Sequence, residues 1–330
     1  MKNAKPHSIT LRLLAAAAAL CALLPGAATA QYPTRTVTIV VPFPPGGASD
    51  ISARTIAQKL SESLGQTVII ENKAGANGSI GATTVAKAKP DGYTLLVGSI
   101  GVFSINPVLY KDPAYDPKRD FDLLSVIVRT PNALVTSPKF PANTVAELID
   151  YLKKNPNKVS FASSGTGSSD HLTAALFWQK TGTTGIHVPY KGGGPAHTDL
   201  MGGNADVSFQ NLGSIANYVR SGKMKLLAVT ADKRDATFPN VPTMAEAGVQ
   251  GLEVFSWQAI AAPKGLPKEV ADKLTPAVVA AIKDPAVTKK FNDIGFEVVG
   301  TGSAEFAKFL DAELARWKGV VEAGGIKQSD

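Results

Sequence analysis

Residues 36–50 read TVTIVVPFPPGGASD, and the order of these residue types decides the fold class. Thr36 to Val41 is a short β-branched run, the composition of a strand. Pro42 to Gly47 is a turn whose glycines permit close backbone approach and leave N–H donors free. Ser49 or Asp50 supplies an N-cap, and Ile56, Leu60 and Leu64 recur on one helical face until Gly65 stops it. Thr67 to Ile70 is the next strand, followed by a glycine-rich loop (Gly75 to Gly78) and a helix near Ile80 to Lys87. The turn Pro90-Asp91-Gly92 leads into a strand from Tyr93 to Val97, which completes a βαβαβ unit.

The rhythm restarts after Arg129. Ala133 to Thr136 reads as a strand, and Thr144-Val145-Ala146-Glu147 as a capping box opening a helix to about Lys154. The strand Val159 to Ala162 feeds the loop Ser163 to Ser169 and a helix carrying His171, Leu172, Ala175 and Leu176. Ile186 to Val188, Asp206 to Phe209 and Leu226 to Thr230 are further strands, with short helices ending at Met201 and running from Ile215 to Arg220. After Val254 there is one strand, to Ala261, and then mostly helix, with Phe306, Phe309, Leu310, Leu314, Trp317 and Val321 on a single apolar stripe. One strand with trailing helices does not make a third domain, so this segment is expected to return to the first unit. The organisation read from the chain is α/β in two lobes, 31–130 plus 255–330 and 131–254, with crossings near 129–131 and 253–256.

Ahead of the first strand lie Met1, Lys2, Lys5 and Arg12, an apolar run from Leu13 to Leu24, a Pro25-Gly26 break and Ala28-Thr29-Ala30. This order is that of a secretory signal peptide over residues 1–30, cleaved near Ala30–Gln31; the apolar run is too short to span a bilayer. The mature chain is therefore expected outside the cytoplasm, which sets aside most ATP- and NAD-dependent chemistry; the family resemblance given below narrows this to the periplasm. The leader holds three of the 34 basic residues and none of the 27 acidic ones, so 31 oppose 27 in the mature chain and the net charge is +4. With no basic run, nucleic acid is not an expected partner. The single cysteine, Cys21, lies in the leader, with Leu20 where a lipoprotein site needs a small residue. Disulfides, thiolate metal sites and a cysteine nucleophile are thereby excluded from the mature chain.

Three loops each follow a β-rich run and precede a helix, the position where open α/β sheets bind ligands. The first, Pro42 to Asp50, reads either as an anion cradle at a helix start or as a tight strand-to-helix turn; Asp50 reads as a helix cap or as a partner for a cationic group. The second, Ser163 to His171, is dense in hydroxyls but has neither Gly-Lys-Ser/Thr nor the third glycine of a dinucleotide fingerprint. Asp170 and His171 are adjacent and cannot relay to each other, and no Gly-x-Ser-x-Gly elbow is present, which argues against a hydrolase. The third, Val188 to His197, carries Tyr190, a solitary cation (Lys191) and three glycines before Pro195. His187 and His197 flank it, with no carboxylate at metal-ligand spacing, so no metal is expected. Ser99 and Gln210-Asn211 occupy equivalent strand ends.

The stretches YPTRTVTIVVPFPPGGASDISAR, ENKAGANGSIGA, KPDGYTLLVGS, GTGSSDHL, VPYKGGGPA and FSWQAIAAPKGLP, in this order, resemble the Bug family, the extracytoplasmic solute receptors of tripartite tricarboxylate transporters. The resemblance spans essentially the whole mature chain. It implies a type II periplasmic binding-protein fold, in which two lobes, each a mainly parallel sheet flanked by helices, close on a small carboxylate held by amides, hydroxyls and water. It further implies a monomer with no catalytic role and no cofactor, which hands its ligand to a membrane permease. The contacts it implies are Phe43, Gly47, Ser49, Asp50 and Ser99 from one lobe, and Gly165, Thr166, Gly167, Ser168, Tyr190 and Asn211 from the other. Pro45 stands where relatives often carry a small residue, and its ring removes one N–H donor from the first loop. A receptor that reports to a membrane sensor, and an exported hydrolase, are the competing functions.

Overall fold

The computed structural model describes residues 32–324, so the expected leader and Cys21 lie outside the described residues. Val37–Val41 (β1) pairs in parallel with Val68–Asn72 (β2) on one side and Thr94–Ser99 (β3) on the other. Parallel neighbours need crossover connections, and Ala48–Leu64 (α1) and Ser79–Ala86 (α2) provide them. α1 turns Ile56, Leu60 and Leu64 inward and stops at Gly65, whose φ of 68° lets its N–H reach the Ser61 carbonyl at 2.9 Å. Its start corrects the expected cap: Gly47, not Ser49 or Asp50, is the N-cap residue. Asp50 instead reaches back from the first turn and accepts the Gly46 N–H at 3.0 Å.

A larger difference lies between the lobes. Phe121–Thr136 (β4) is one continuous strand of 16 residues, of which only the last four were expected. Ser125, Arg129, Thr130 and Asn132 interrupt its apolar pattern, and they do so because the strand leaves one sheet environment and enters another. Its first part pairs antiparallel with Phe255–Pro263 (β9). Its last part pairs antiparallel with Val207–Asn211 (β7) and Lys225–Val229 (β8). Ser160–Ser163 (β5) then pairs in parallel with β7 and with Ile186–Pro189 (β6). The strand order is β2-β1-β3-β9-β4-β7-β5-β6. Each lobe's outer strands are parallel; the strands that link the lobes are antiparallel.

Among the described residues, seven helices follow the short Asn106–Leu109 (α3). Val145–Lys154 (α4) opens with the expected capping box: Thr144 Oγ1 accepts the Glu147 N–H at 3.1 Å, and the Glu147 carboxylate accepts the Asn143 N–H at 2.7 Å. Ser169–Thr181 (α5) and Gly193–Gly202 (α6) follow β5 and β6. Leu212–Arg220 (α7) follows β7 directly. The chain then returns through Lys268–Lys283 (α8), Pro285–Asn292 (α9), Glu297–Val298 (β10) and Ser303–Gly324 (α10). Phe306, Leu310 and Trp317 of α10 enter the core that holds β1–β3, and Trp257 Nε1 donates to Glu313 at 2.7 Å. The other lobe has one apolar cluster centred on Phe161, Phe177 and Phe209, and a second containing Ala133, Ala162 and Leu200. Where the chain crosses between lobes, the two passages are laced together: the Thr230 N–H donates to the Asn132 carbonyl at 2.8 Å and the Val254 N–H to the Thr230 carbonyl at 3.0 Å.

Candidate functional site

The ends of β1, β3, β5, β7 and β9 converge on a small cavity of about 40 Å³ between the lobes. Four helices begin on its wall. Ala48 and Ser49 open α1, Ser169 and Asp170 open α5, Gly193 opens α6, and Asn211 and Ser214 flank the start of α7. Unpaired N–H groups and the positive end of each helix dipole therefore face one volume. Among the described residues, no lysine, arginine or histidine lines it, and its one ionisable side chain is Asp170. That donor set suits an anion held without a counter-charge.

Glycines permit the lobes to meet over this cavity. A Cβ on Gly47 would lie 3.6 Å from the Gly193 nitrogen, and a Cβ on Gly194 would lie 2.2 Å from the Pro45 carbonyl oxygen. At Gly167, where φ is +81°, an added Cβ would lie 2.5 Å from the Leu109 side chain of the opposite lobe. Asn77 reinforces the same rim; its Nδ2 donates to Asn106 Oδ1 at 2.9 Å, and Asn106 Nδ2 returns a bond to the Asn77 carbonyl at 2.9 Å.

Of the residues singled out from sequence, Phe43, Gly47, Ser49, Ser99, Ser168 and Asn211 lie together on the wall. Asp50, Gly165, Thr166, Gly167 and Tyr190 do not. Asp50 is turned into its own loop, bound by Gly46 N–H, Asn72 Nδ2 at 2.9 Å and Arg54 Nε at 3.0 Å. Burial alone would raise its carboxyl, but the bonds from Arg54, Gly46 and Asn72 outweigh that and hold it below the usual carboxylate range. Tyr190 sends its hydroxyl to Asp199 at 2.7 Å, and Lys191 is exposed. Gly165 and Gly167 (φ +137° and +81°) shape the turn that brings Ser168 to the wall.

Ser168 caps α5 by accepting the His171 N–H, and its own hydroxyl donates to the Gly165 carbonyl at 2.6 Å. Asp170 accepts Ser164 N–H at 2.7 Å, Ser164 Oγ at 2.8 Å and Gln210 Nε2 at 3.3 Å. Burial pushes its carboxyl above the usual range, against those hydrogen bonds. Behind the loop, the rings of His171 and His187 stack at 3.8 Å. Burial lowers both to about 4, and the neighbouring His187 lowers His171 further. His171 Nδ1 accepts the Gly167 N–H at 3.1 Å, so it supports the loop as a neutral ring.

Sequence reasoning passed over Asn77, Ser164, Gly193, Ser214, Ser256 and Gln258, all of which line the cavity. Ser256 and Gln258 carried a usable signal: they are two polar residues at strand spacing in the otherwise apolar FSWQAIAAP. Among the described residues, no three His, Cys, Asp or Glu are grouped to hold a metal ion.

A family model described as tripartite tricarboxylate transporter family receptor matches residues 52–326. The chain is 38% identical to a protein solved as periplasmic binding protein BugD, with a TM-score of 0.87 over 90% of this chain and 100% of that one. It is 39% identical to Rpa4515 of R. palustris, solved with adipate, with a TM-score of 0.87 over 90% and 99% of the two chains. It is 34% identical to MatC of Rhodopseudomonas palustris, solved with bound malate, with a TM-score of 0.83 over 88% and 100%.

Proposed function

Because the chain belongs to the tripartite tricarboxylate transporter receptor family, a family of periplasmic solute-binding proteins rather than enzymes, we propose that it captures a small carboxylate between its lobes and delivers it to the membrane permease of such a transporter. The observation that carries this reading is the cation-free cavity onto which four helix starts open, two of them preceded by glycine loops that touch across the lobes. Each helix start favours a partly buried carboxylate by up to about 2 kcal/mol. Neutral donors also avoid leaving an unpaired cation buried when the solute departs. The carboxylates found with Rpa4515 and MatC support the same chemistry here.

In this reading, residues 31–130 with 255–330 and residues 131–254 act as the two halves, and Phe43, Gly47, Ser49, Ser99, Ser168 and Asn211 contact the solute. Each half offers part of the donor set, so the solute binds the closed form better and shifts the population toward it. The closed protein, acting as a monomer, then presents a surface that the permease distinguishes from the open one. Residues 1–30 direct export and are removed near Ala30–Gln31.

The test is isothermal titration calorimetry of the periplasmic protein against a panel of C3–C8 mono- and dicarboxylates. The expected result is binding of at least one acid at 1:1 stoichiometry, with the acid recovered unchanged. An acid converted during incubation, or a panel that gives no heat and no thermal shift, defeats the reading.

A further inference from the structure

Gln258 has a placement that solute capture by the helix starts does not account for. It lies in β9, paired with Ser99 in β3 and Val128 in β4. Strand alternation puts Ser256 and Gln258 on the cavity side, while Trp257 goes to the opposite face among Phe103, Phe306 and Phe309. Gln258 is 0% exposed. Its Oε1 takes the Ser49 hydroxyl at 2.6 Å. That separation belongs to O–H···O geometry and is shorter than the usual N–H···O range, which sets the amide with its oxygen toward Ser49. The amide nitrogen is then left over. Five buried side-chain polar atoms find no partner among the described residues, and Gln258 Nε2 is the one whose residue lines the cavity. A buried amide N–H without an acceptor is costly to keep, so a position that keeps one has an acceptor to meet.

We propose that Gln258 is the specificity-determining residue of this receptor: its Nε2, oriented by Ser49, donates to a second oxygen acceptor of the solute, beyond the carboxylate at the helix starts. This rests on the carboxylate reading above and deepens it. The preferred solute is an acid that carries a further carboxylate, keto or hydroxyl oxygen. An acid of equal length with an apolar end leaves the Gln258 amide unsatisfied and is rejected. Discrimination comes from the stranded donor, and no cation is needed for it.

Calorimetry on the full periplasmic protein with length-matched pairs, succinate against butyrate and adipate against hexanoate, tests the proposal. The wild type is expected to prefer the diacid of at least one pair by about 30-fold or more, the scale of one hydrogen bond to a charged group. Gln258→Leu is expected to reduce that preference to within about threefold, the diacid losing far more affinity than the monoacid. Gln258→Met serves the same purpose where the leucine variant does not fold. Gln258→Glu is expected to repel the diacid further at pH 7.5. Equal weakening of both acids in Gln258→Leu or Gln258→Met would show a merely structural residue and overturn the proposal, with the carboxylate reading intact. So would a wild type that binds both members of each pair alike. A wild type that binds no acid removes the carboxylate reading and this proposal with it.

Discussion

The two loops that face each other across the cleft are built alike and charged differently. Each ends in Ser-Asp at the start of a helix, Ser49-Asp50 in α1 and Ser169-Asp170 in α5. Each aspartate closes its own loop by accepting a backbone N–H from upstream, Gly46 in one case and Ser164 in the other. Asp50 also meets Arg54, which is half-exposed, and stays readily ionised away from the cavity. Asp170 has no cationic partner among the described residues, lines the cavity and resists ionisation. The same local device therefore gives one lobe a charge neutralised outside the site and the other a buried acid inside it. An anionic solute meets less repulsion than two exposed aspartates would impose, and the loops remain tied down without it.

The facing glycines give the strongest way to break the symmetry between the lobes. Gly194→Ala places a methyl against the Pro45 carbonyl without disturbing the helix it opens. Closure is then blocked, and the solute keeps the donors of one lobe only. Affinity is expected to fall by about 30-fold or more, the loss of roughly 2 kcal/mol of hydrogen bonding. The ligand-free melting temperature should stay where it is. Gly202→Ala, at the far end of the same helix and close only to Asn204, is the matched control. Equal affinities in the two variants would mean that binding does not need the lobes to meet at this point.

The aspartates themselves sharpen the comparison. Asp170→Ala strands the Ser164 N–H and the Gln210 amide in a buried loop, and is expected to cost about 3 kcal/mol of stability and most of the ligand affinity. Their titrations differ in sign. Asp170 has its carboxyl raised in the fold, so its contribution is complete below the ordinary carboxylate range and declines as pH rises through the folded value. Asp50 has its carboxyl lowered, so its contribution is complete above that range and declines as pH falls through the folded value. Urea unfolding between pH 3 and 7 should show Asp170→Asn losing the decline on the alkaline side and Asp50→Asn losing the decline on the acid side. Parallel pH profiles in the two variants would contradict the contrast drawn between the loops.

Much of this arrangement is legible in the residues. Strand, glycine turn and helix follow one another in TVTIVVPFPPGGASD because each step has its own local chemistry, and the same holds for the capping box at Thr144. Less legible is whatever depends on two distant segments at once. β4 hides its length because its polar residues answer to the strands it meets, β9, β7 and β8, rather than to an alternation of its own. The family resemblance implies Thr166 and Tyr190 as ligand contacts; in the fold the Tyr190 hydroxyl bonds Asp199, and neither residue is among those lining the cavity. Conversely, Asn77 gains its place from Asn106, 29 residues further along the chain, and Gln258 from Ser49 of α1.

Two hydroxyls of the second loop, those of Ser168 and Thr166, give the smallest effect and the finest test. Ser168 works twice, as the cap of α5 and as the donor that fixes the Gly165 carbonyl, and it lies on the cavity wall. Ser168→Ala is expected to cost about 1 kcal/mol of stability through the lost cap, with a fall in affinity of several-fold. Thr166 shares the loop but lies off the wall, so Thr166→Ala should change stability by no more than about 0.5 kcal/mol and leave calorimetric affinity as it is. In the double variant the Ser168 effect should appear alone. A Thr166→Ala protein that binds tenfold more weakly while melting normally would mean that the loop presents a different edge to the solute. It would also mean that the cleft's second lobe grips through the glycine turn itself rather than through the helix start beyond it.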